Sequence, residues 1–141
     1  MLTIKKFLQL PEVQEALENE NLDKVYGLYE DNCGTCASKV QLTQFFMDVG
    51  INVTEYMTVI GRYTFDTLPI KEVDVSENVQ AIDNYAFINC RQLERIVLPR
   101  NLFFIDNNPF VNCPHLVIEC YEGTLAYEWC KQHNREFRLI K

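Results

Sequence analysis

Six cysteines and two histidines are the residues whose chemistry packing alone does not explain. Cys33-Gly34-Thr35-Cys36 is the one spacing that carries a reaction. Two thiols three positions apart, just ahead of a helix whose N-terminal N–H groups favour a thiolate, resemble a redox dithiol. The surroundings argue against that use, because no strand precedes the pair, no β-α-β pattern encloses it, and Ser38 is a better helix cap than either cysteine. A structural zinc ion would need two more ligands, for which His115, Cys120, Cys130 and His133 are the spares, and none of these pairs has finger-like spacing. Cys33 and Cys36 are therefore expected to be two thiols of an exposed loop, with a zinc or redox protein working through them as an alternative. Cys90 and Cys113 occupy equivalent places in a repeat and are expected to be small core residues. His115 follows Pro114 in an exposed turn, and His133 lies near a helix C-terminus, where it meets the negative end of the dipole. Neither histidine has a nucleophile motif beside it, and five scattered glycines build no phosphate loop. No catalytic residue, cofactor or metal ligand is expected, and the chain is read as no enzyme.

Charge narrows the partners. The 141 residues carry a formal net charge of -7, and residues 1–68 hold ten acids against five bases. Between Glu12 and Asp23 there are five acids and no base, the opposite of a groove for a phosphate backbone. Direct nucleic-acid binding is excluded there, whereas a basic protein partner, including one that itself binds nucleic acid, suits Glu12, Glu15, Glu18 and Glu20. With 48% hydrophobic residues the composition is that of a globular chain, not a disordered one. The N-terminus lacks a basic segment followed by an apolar one, and no run of about 18 apolar residues occurs anywhere. An unanchored, cytoplasmic protein with no membrane partner is the expectation.

The elements that must position these residues fall into two halves. In the first, Thr3 can cap an opening turn, and Pro11 starts a helix with Val13, Ala16 and Leu17 inward. Asn21 caps a second helix in which Leu22, Val25, Tyr26 and Tyr29 recur at helical spacing. Ser38 with Gln41 has capping-box spacing for a third, with Leu42, Phe45, Phe46 and Val49 as its stripe and Gly50 as its stop. Asn52 with Glu55, then Val53, Tyr56, Met57, Ile60 and Gly61, repeat the pattern and predict a fourth. Gly61 to Pro69, with Tyr63, Phe65 and Leu68, reads as a packed connection and not a tether.

In the second half the chain superposes on itself at a period of 23 residues, measured from Ile70 to Leu93. Ile82-Asp83-Asn84-Tyr85-Ala86-Phe87-Ile88-Asn89-Cys90 lies over Ile105-Asp106-Asn107-Asn108-Pro109-Phe110-Val111-Asn112-Cys113. Each unit offers a short alternating strand (Val73, Val75; Ile96, Leu98), then a tight segment turning Phe87 or Phe110 and Cys90 or Cys113 inward. Such units bury their apolar faces only by stacking, strand parallel to strand. Alternation then leaves Glu72, Asp74 and Ser76 outward beside Arg95, Val97 and Pro99, with Glu72 facing Arg95 and Asp74 facing Val97.

Ile82 to Leu93 and Ile105 to Leu116 resemble the BspA-type leucine-rich repeat, whose pattern runs Ile-Gly-x-x-Ala-Phe-x-x-Cys-x-x-Leu after a strand and a Pro-x-x-hydrophobic step. Asp83 and Asp106 replace its glycine, Pro109 its alanine, and Ser76 the proline that returns as Pro99. The stretch from Leu116 to Cys130 is similar to the end of such arrays: a last strand, then a helix capped by Thr124 with Leu125, Trp129 and Cys130 inward, and a final strand at Phe137-Arg138-Leu139. The resemblance spans about residues 70–141.

The expected fold is α+β: a bundle of short helices in a domain 1–68, capping a short leucine-rich-repeat solenoid with a small parallel sheet over 69–141, through one continuous core. The expected function is a non-enzymatic, intracellular protein-interaction module that binds a protein partner through Glu12, Glu15, Glu18 and Glu20 or through Glu72, Asp74, Arg95 and Val97. A narrower alternative is a phage or mobile-element inhibitor of a host defence nuclease, of anti-CRISPR type, whose acidic surface blocks a basic groove.

Overall fold

In a computed structural model that describes residues 4–33 and 36–141, four short helices precede two stacks of parallel strands. The helices are α1 (Ile4–Phe7), α2 (Pro11–Glu18), α3 (Leu22–Cys33) and α4 (Cys36–Asp48). Pro11 stands at the first turn of α2, where its missing N–H costs nothing. Asn21 Oδ1 accepts from Lys24 N at 3.1 Å, the expected cap of α3. Leu22, Val25, Tyr26 and Tyr29 are all buried, with Phe7 edge-on to Tyr29 at 4.8 Å. Thr3 and its cap lie outside the described residues.

The third helix departs from its expected stripe. Leu42 and Phe46 are buried, but Phe45 and Val49 face outward and Thr43 takes the inner position. A buried tyrosine hydroxyl needs a partner, and Thr43 Oγ1 lies 2.6 Å from Tyr26 Oη. Ser38 falls inside α4 and so is not its cap, whereas Gly50 stops the helix as expected with φ of +85°.

The fourth helix does not form. Asn52 Oδ1 accepts from Thr54 N, but the turn it caps is a single 3-10 turn over Val53–Tyr56, after which Val59–Ile60 becomes a strand. The cause lies in Thr58-Val59-Ile60, a β-branched run that favours extended backbone and has a parallel partner waiting in Ala81–Ile82.

Strands β1 (Val59–Ile60), β3 (Ala81–Ile82) and β5 (Phe104–Ile105) form a first parallel sheet. Strands β2 (Glu72–Asp74), β4 (Arg95–Val97), β6 (Val117–Cys120) and β7 (Phe137–Leu139) form a second, in that order. The small sheet expected from the alternating strands is the second one; the first is built from the Ile82 and Ile105 segments. The result is a parallel β-solenoid of about four turns behind the short helices, a mixed α+β fold.

One of those turns runs from the end of the segment read as a fourth helix through the stretch read as a packed connection. Ile60, Tyr63, Phe65 and Leu68 take the places of Ile82, Tyr85, Phe87 and Cys90 one turn later. The hydrogen bonds repeat with them. Tyr63 N, Phe65 N and Thr67 N donate to Tyr85, Ala86 and Ile88 carbonyls, as Tyr85 N, Phe87 N and Asn89 N donate to Asn108, Pro109 and Val111. Gly61, read as a helix stop, occupies the repeat's glycine place.

Inside, Phe65, Phe87 and Phe110 stack at 4.6 and 5.5 Å, and Trp129 closes the spine 5.8 Å from Phe110. Trp129 belongs to α5 (Leu125–Gln132), which Thr124 caps by accepting from Tyr127 N. Ala126, Trp129 and Cys130 form the buried stripe of α5. Leu125, expected inward, is one position off that stripe and exposed. Pro99, expected outward, is buried, because it lies beyond the end of β4 where strand alternation has ceased. Pro109 has no N–H to repeat the Ala86 bond to Asp83, and the turn around it is shorter than the one around Ala86. A single core cluster runs from Phe7 through Leu42, Val53, Ile60, Val73 and Ile82 to Cys130. Thr64, Phe65 and Leu68 are buried within the connection, which is packed as expected.

Candidate protein-binding face

The outward positions of the second sheet are set by period-two alternation, with Val73, Ile96 and Ile118 turned into the core. The register places Glu72 beside Arg95 and Asp74 beside Val97, as the spacing predicts. It then continues through Val117 opposite Arg95, Glu119 opposite Val97 and Arg138 opposite Glu119. Arg95 is the centre of this face. Its guanidinium lies 3.1 Å from Asp74 and 3.8 Å from Glu72, and its Nε donates to Glu119. Those bonds, chiefly the one to Glu119, hold the Arg95 pKa above its ordinary value. One cation thus bonds three carboxylates, and with Arg138 counted the row still holds three acids against two bases next to two valines.

Glu119 was missed by the sequence reading. The same alternation carried one more turn, from Val97 to the strand before Cys120, would have placed it there.

Glu12, Glu15 and Glu18 are exposed on α2, and Glu20 just beyond it is exposed with φ of +54°. Glu20 shares the rim of a separate cavity of about 450 Å³ with Glu55 and Glu77. The structure thus brings Glu72, Asp74 and Arg95 together but keeps Glu20 on a different surface.

The thiols divide similarly. Gly34 and Thr35, and the side chains of Cys33 and Cys36, lie outside the described residues. Cys90 and Cys113 are buried, as expected of core residues, and donate to the Phe65 and Phe87 carbonyls at 2.9 and 3.1 Å. Contact with Cys113 and burial push the Cys90 thiol up, and burial does the same at Cys120 and takes Cys130 up to about 12. Cys90, Cys120 and Cys130 are therefore poor nucleophiles. His115 is exposed, while His133 ends α5, stacked on Trp129 at 4.3 Å with Nδ1 2.9 Å from the Trp129 carbonyl. Among the described residues, no three His, Cys, Asp or Glu side chains converge on a cation site.

Two parallel sheets, a stacked phenylalanine spine and an outward charged row define a repeat solenoid of the leucine-rich type. The family model for the BspA type leucine-rich repeat region, described as six copies, matches residues 46–124. The chain belongs to that family. No curated protein and no solved structure matches it. Repeats of this family are typically protein-binding and usually non-catalytic. Among the described residues no helix is long and apolar enough to cross a membrane.

Proposed function

We propose that the chain is a non-catalytic binding module whose protein partner docks on the outward face of the second sheet. The observation that carries this reading is Arg95 held among Glu72, Asp74 and Glu119. It is a partly shielded cation inside an acidic row, flanked by Val97 and Val117, and pairs fixed charge with apolar contact area. The Arg95 guanidinium is held by its carboxylates before binding, so less of its freedom is left to lose. Glu12, Glu15, Glu18 and Glu20 form a second acidic surface for the same class of partner, a basic protein. Their acidity is the whole support for the narrower reading, a phage-borne inhibitor of a host defence nuclease. A cytoplasmic setting is supported by the free thiols of Cys90, Cys113, Cys120 and Cys130.

Affinity capture from host lysate at low and high salt, followed by mass spectrometry, tests the module. One stoichiometric partner that is lost with Val97→Lys plus Glu119→Lys, which reverse the charge of the face, is the expected result. Retention of that partner by the double variant, with the four α2-region glutamates changed to lysine releasing it, would move the site to the helices.

A further inference from the structure

The second sheet begins at β2 with an edge that is only half closed. Parallel pairing turns the backbone groups of Lys71, Val73 and Val75 toward β4: Glu94 N and Arg95 N donate to the Lys71 carbonyl, and Val75 N donates to Val97. The groups of Glu72 and Asp74 therefore point the other way, off the end of the solenoid. There the 3-10 turn supplies a substitute strand. Asn52 Nδ2 donates to the Asp74 carbonyl at 2.7 Å, and Thr54 Oγ1 accepts from Ser76 N at 3.0 Å. Among the described residues this cover reaches from Asp74 to Ser76 and no further. Toward Glu72 the edge opens on a cavity of about 300 Å³ whose walls include Met47, Ile51 and Asn52.

We propose that the uncovered part of the β2 edge captures an extended, basic segment of a protein partner, which adds to the second sheet as a further strand. The proposal rests on the protein-binding reading above and names the chemistry of the partner. Three features argue for this occupant. The Glu72 N–H and C=O and the Asp74 N–H are aimed where an added strand would place its own donors and acceptors. The side chains of Glu72 and Asp74 are 66% and 71% exposed, and Arg95, the cation paired with them among the described residues, is already shared with Glu119. Met47 and Ile51 give an apolar wall on the helix side, matched to the alternate side chains of a strand. An acidic or neutral strand would meet uncompensated carboxylates, so lysine or arginine at alternate positions is what the edge selects.

The test uses the full chain and a short fluorescent peptide alternating lysine and valine. A second peptide of the same sequence is N-methylated at every other amide, which keeps charge and removes strand donors. Binding of the first peptide, read by anisotropy, is expected to exceed that of the methylated one by roughly tenfold or more. Glu72→Pro removes the outward N–H and is tolerated at an edge position whose N–H is not in the ladder. It should weaken binding at least as much as Glu72→Gln, which removes charge alone, with the melting temperature of both variants checked against the parent. Equal affinity for the two peptides, or unchanged affinity in a folded Glu72→Pro variant, would overturn strand addition. Pull-down of the natural partner that is insensitive to Glu72→Pro yet lost on Val97→Lys plus Glu119→Lys would overturn the edge site while leaving the module intact.

Discussion

The two sheets share one repeat and one core, yet their outward rows differ in kind. Across the first sheet the register aligns exposed Val59 and Phe104 on either side of a buried Ala81, with Phe103 beside them 66% exposed. Across the second it aligns Glu72 with Arg95, and Asp74 with Val97, Glu119 and Arg138. A solenoid fixes its inward side chains by stacking and leaves outward ones free to vary, so the difference lies in the rows and not in the scaffold. The charged row offers direction and salt dependence, whereas the apolar row offers only area.

The comparison fails if the sheets are not one cooperative unit, and Phe87→Ala is the sharpest way to break it. Phe87 is fully buried and stacked between Phe65 and Phe110. Its truncation should cost about 3–5 kcal/mol. Urea unfolding followed by tryptophan emission, which reports Trp129, and by circular dichroism should shift together; separated transitions would show two units.

Alkaline pH probes the end of the second sheet. Cys120 lies on β6 and Cys130 on α5, and burial raises both thiols, Cys130 from 9.0 up to about 12. The folded state holds these protons more tightly than the unfolded chain. The stabilisation from Cys130 is thus complete below the unfolded value near 9 and is lost as pH climbs toward 12. Stability should fall by up to about 1.4 kcal/mol per pH unit for this thiol in that window. In Cys130→Ala the slope should be shallower, from a lower starting stability. An unchanged slope in urea midpoints would assign the alkaline loss to other groups.

Much of this arrangement was legible in the sequence, and the failures have physical causes. The period of 23 was readable because Phe and Cys recur in register where packing permits little else. The first turn escaped because Leu68 and Thr64 fill the cysteine and alanine places and the spacing is 22 from Val59 to Ala81 but 23 from Ala81 to Phe104. Its apolar residues also happen to fall at helical intervals, and only the tertiary partner in β3 decides between the two. Glu72, Asp74, Arg95 and Val97 could be placed by alternation alone. The edge cover from Asn52 and Thr54 could not, since it depends on side chains reaching more than 20 residues along the chain.

That cover yields the next effect. Thr54 is buried, and its Oγ1 accepts from Ser76 N while donating to Asn52 Oδ1 at 2.7 Å. Thr54→Val keeps the shape and orphans the Ser76 N–H, at a cost of about 1–3 kcal/mol. Hydrogen exchange should quicken at Ser76 before it does at Val97; uniform exchange would mean that the edge is not separately capped.

The smallest effects separate the two outward rows most cleanly. Removing the guanidinium in Arg95→Met leaves Glu72, Asp74 and Glu119 without their shared cation, but the site is partly exposed, so the loss should stay within about 1 kcal/mol. It should also shrink as salt rises toward ~1 M, where the screening length falls to about 3 Å. Phe103→Ser beside the first sheet should change stability by no more than about 0.5 kcal/mol, with no dependence on salt. The diagnostic quantity is the salt slope of each variant relative to the parent, measured by urea unfolding, because magnitudes this close overlap whereas slopes do not. Parallel slopes for the two variants would mean that the Arg95 network is solvated charge with no collective field, and the electrostatic distinction between the rows would be lost.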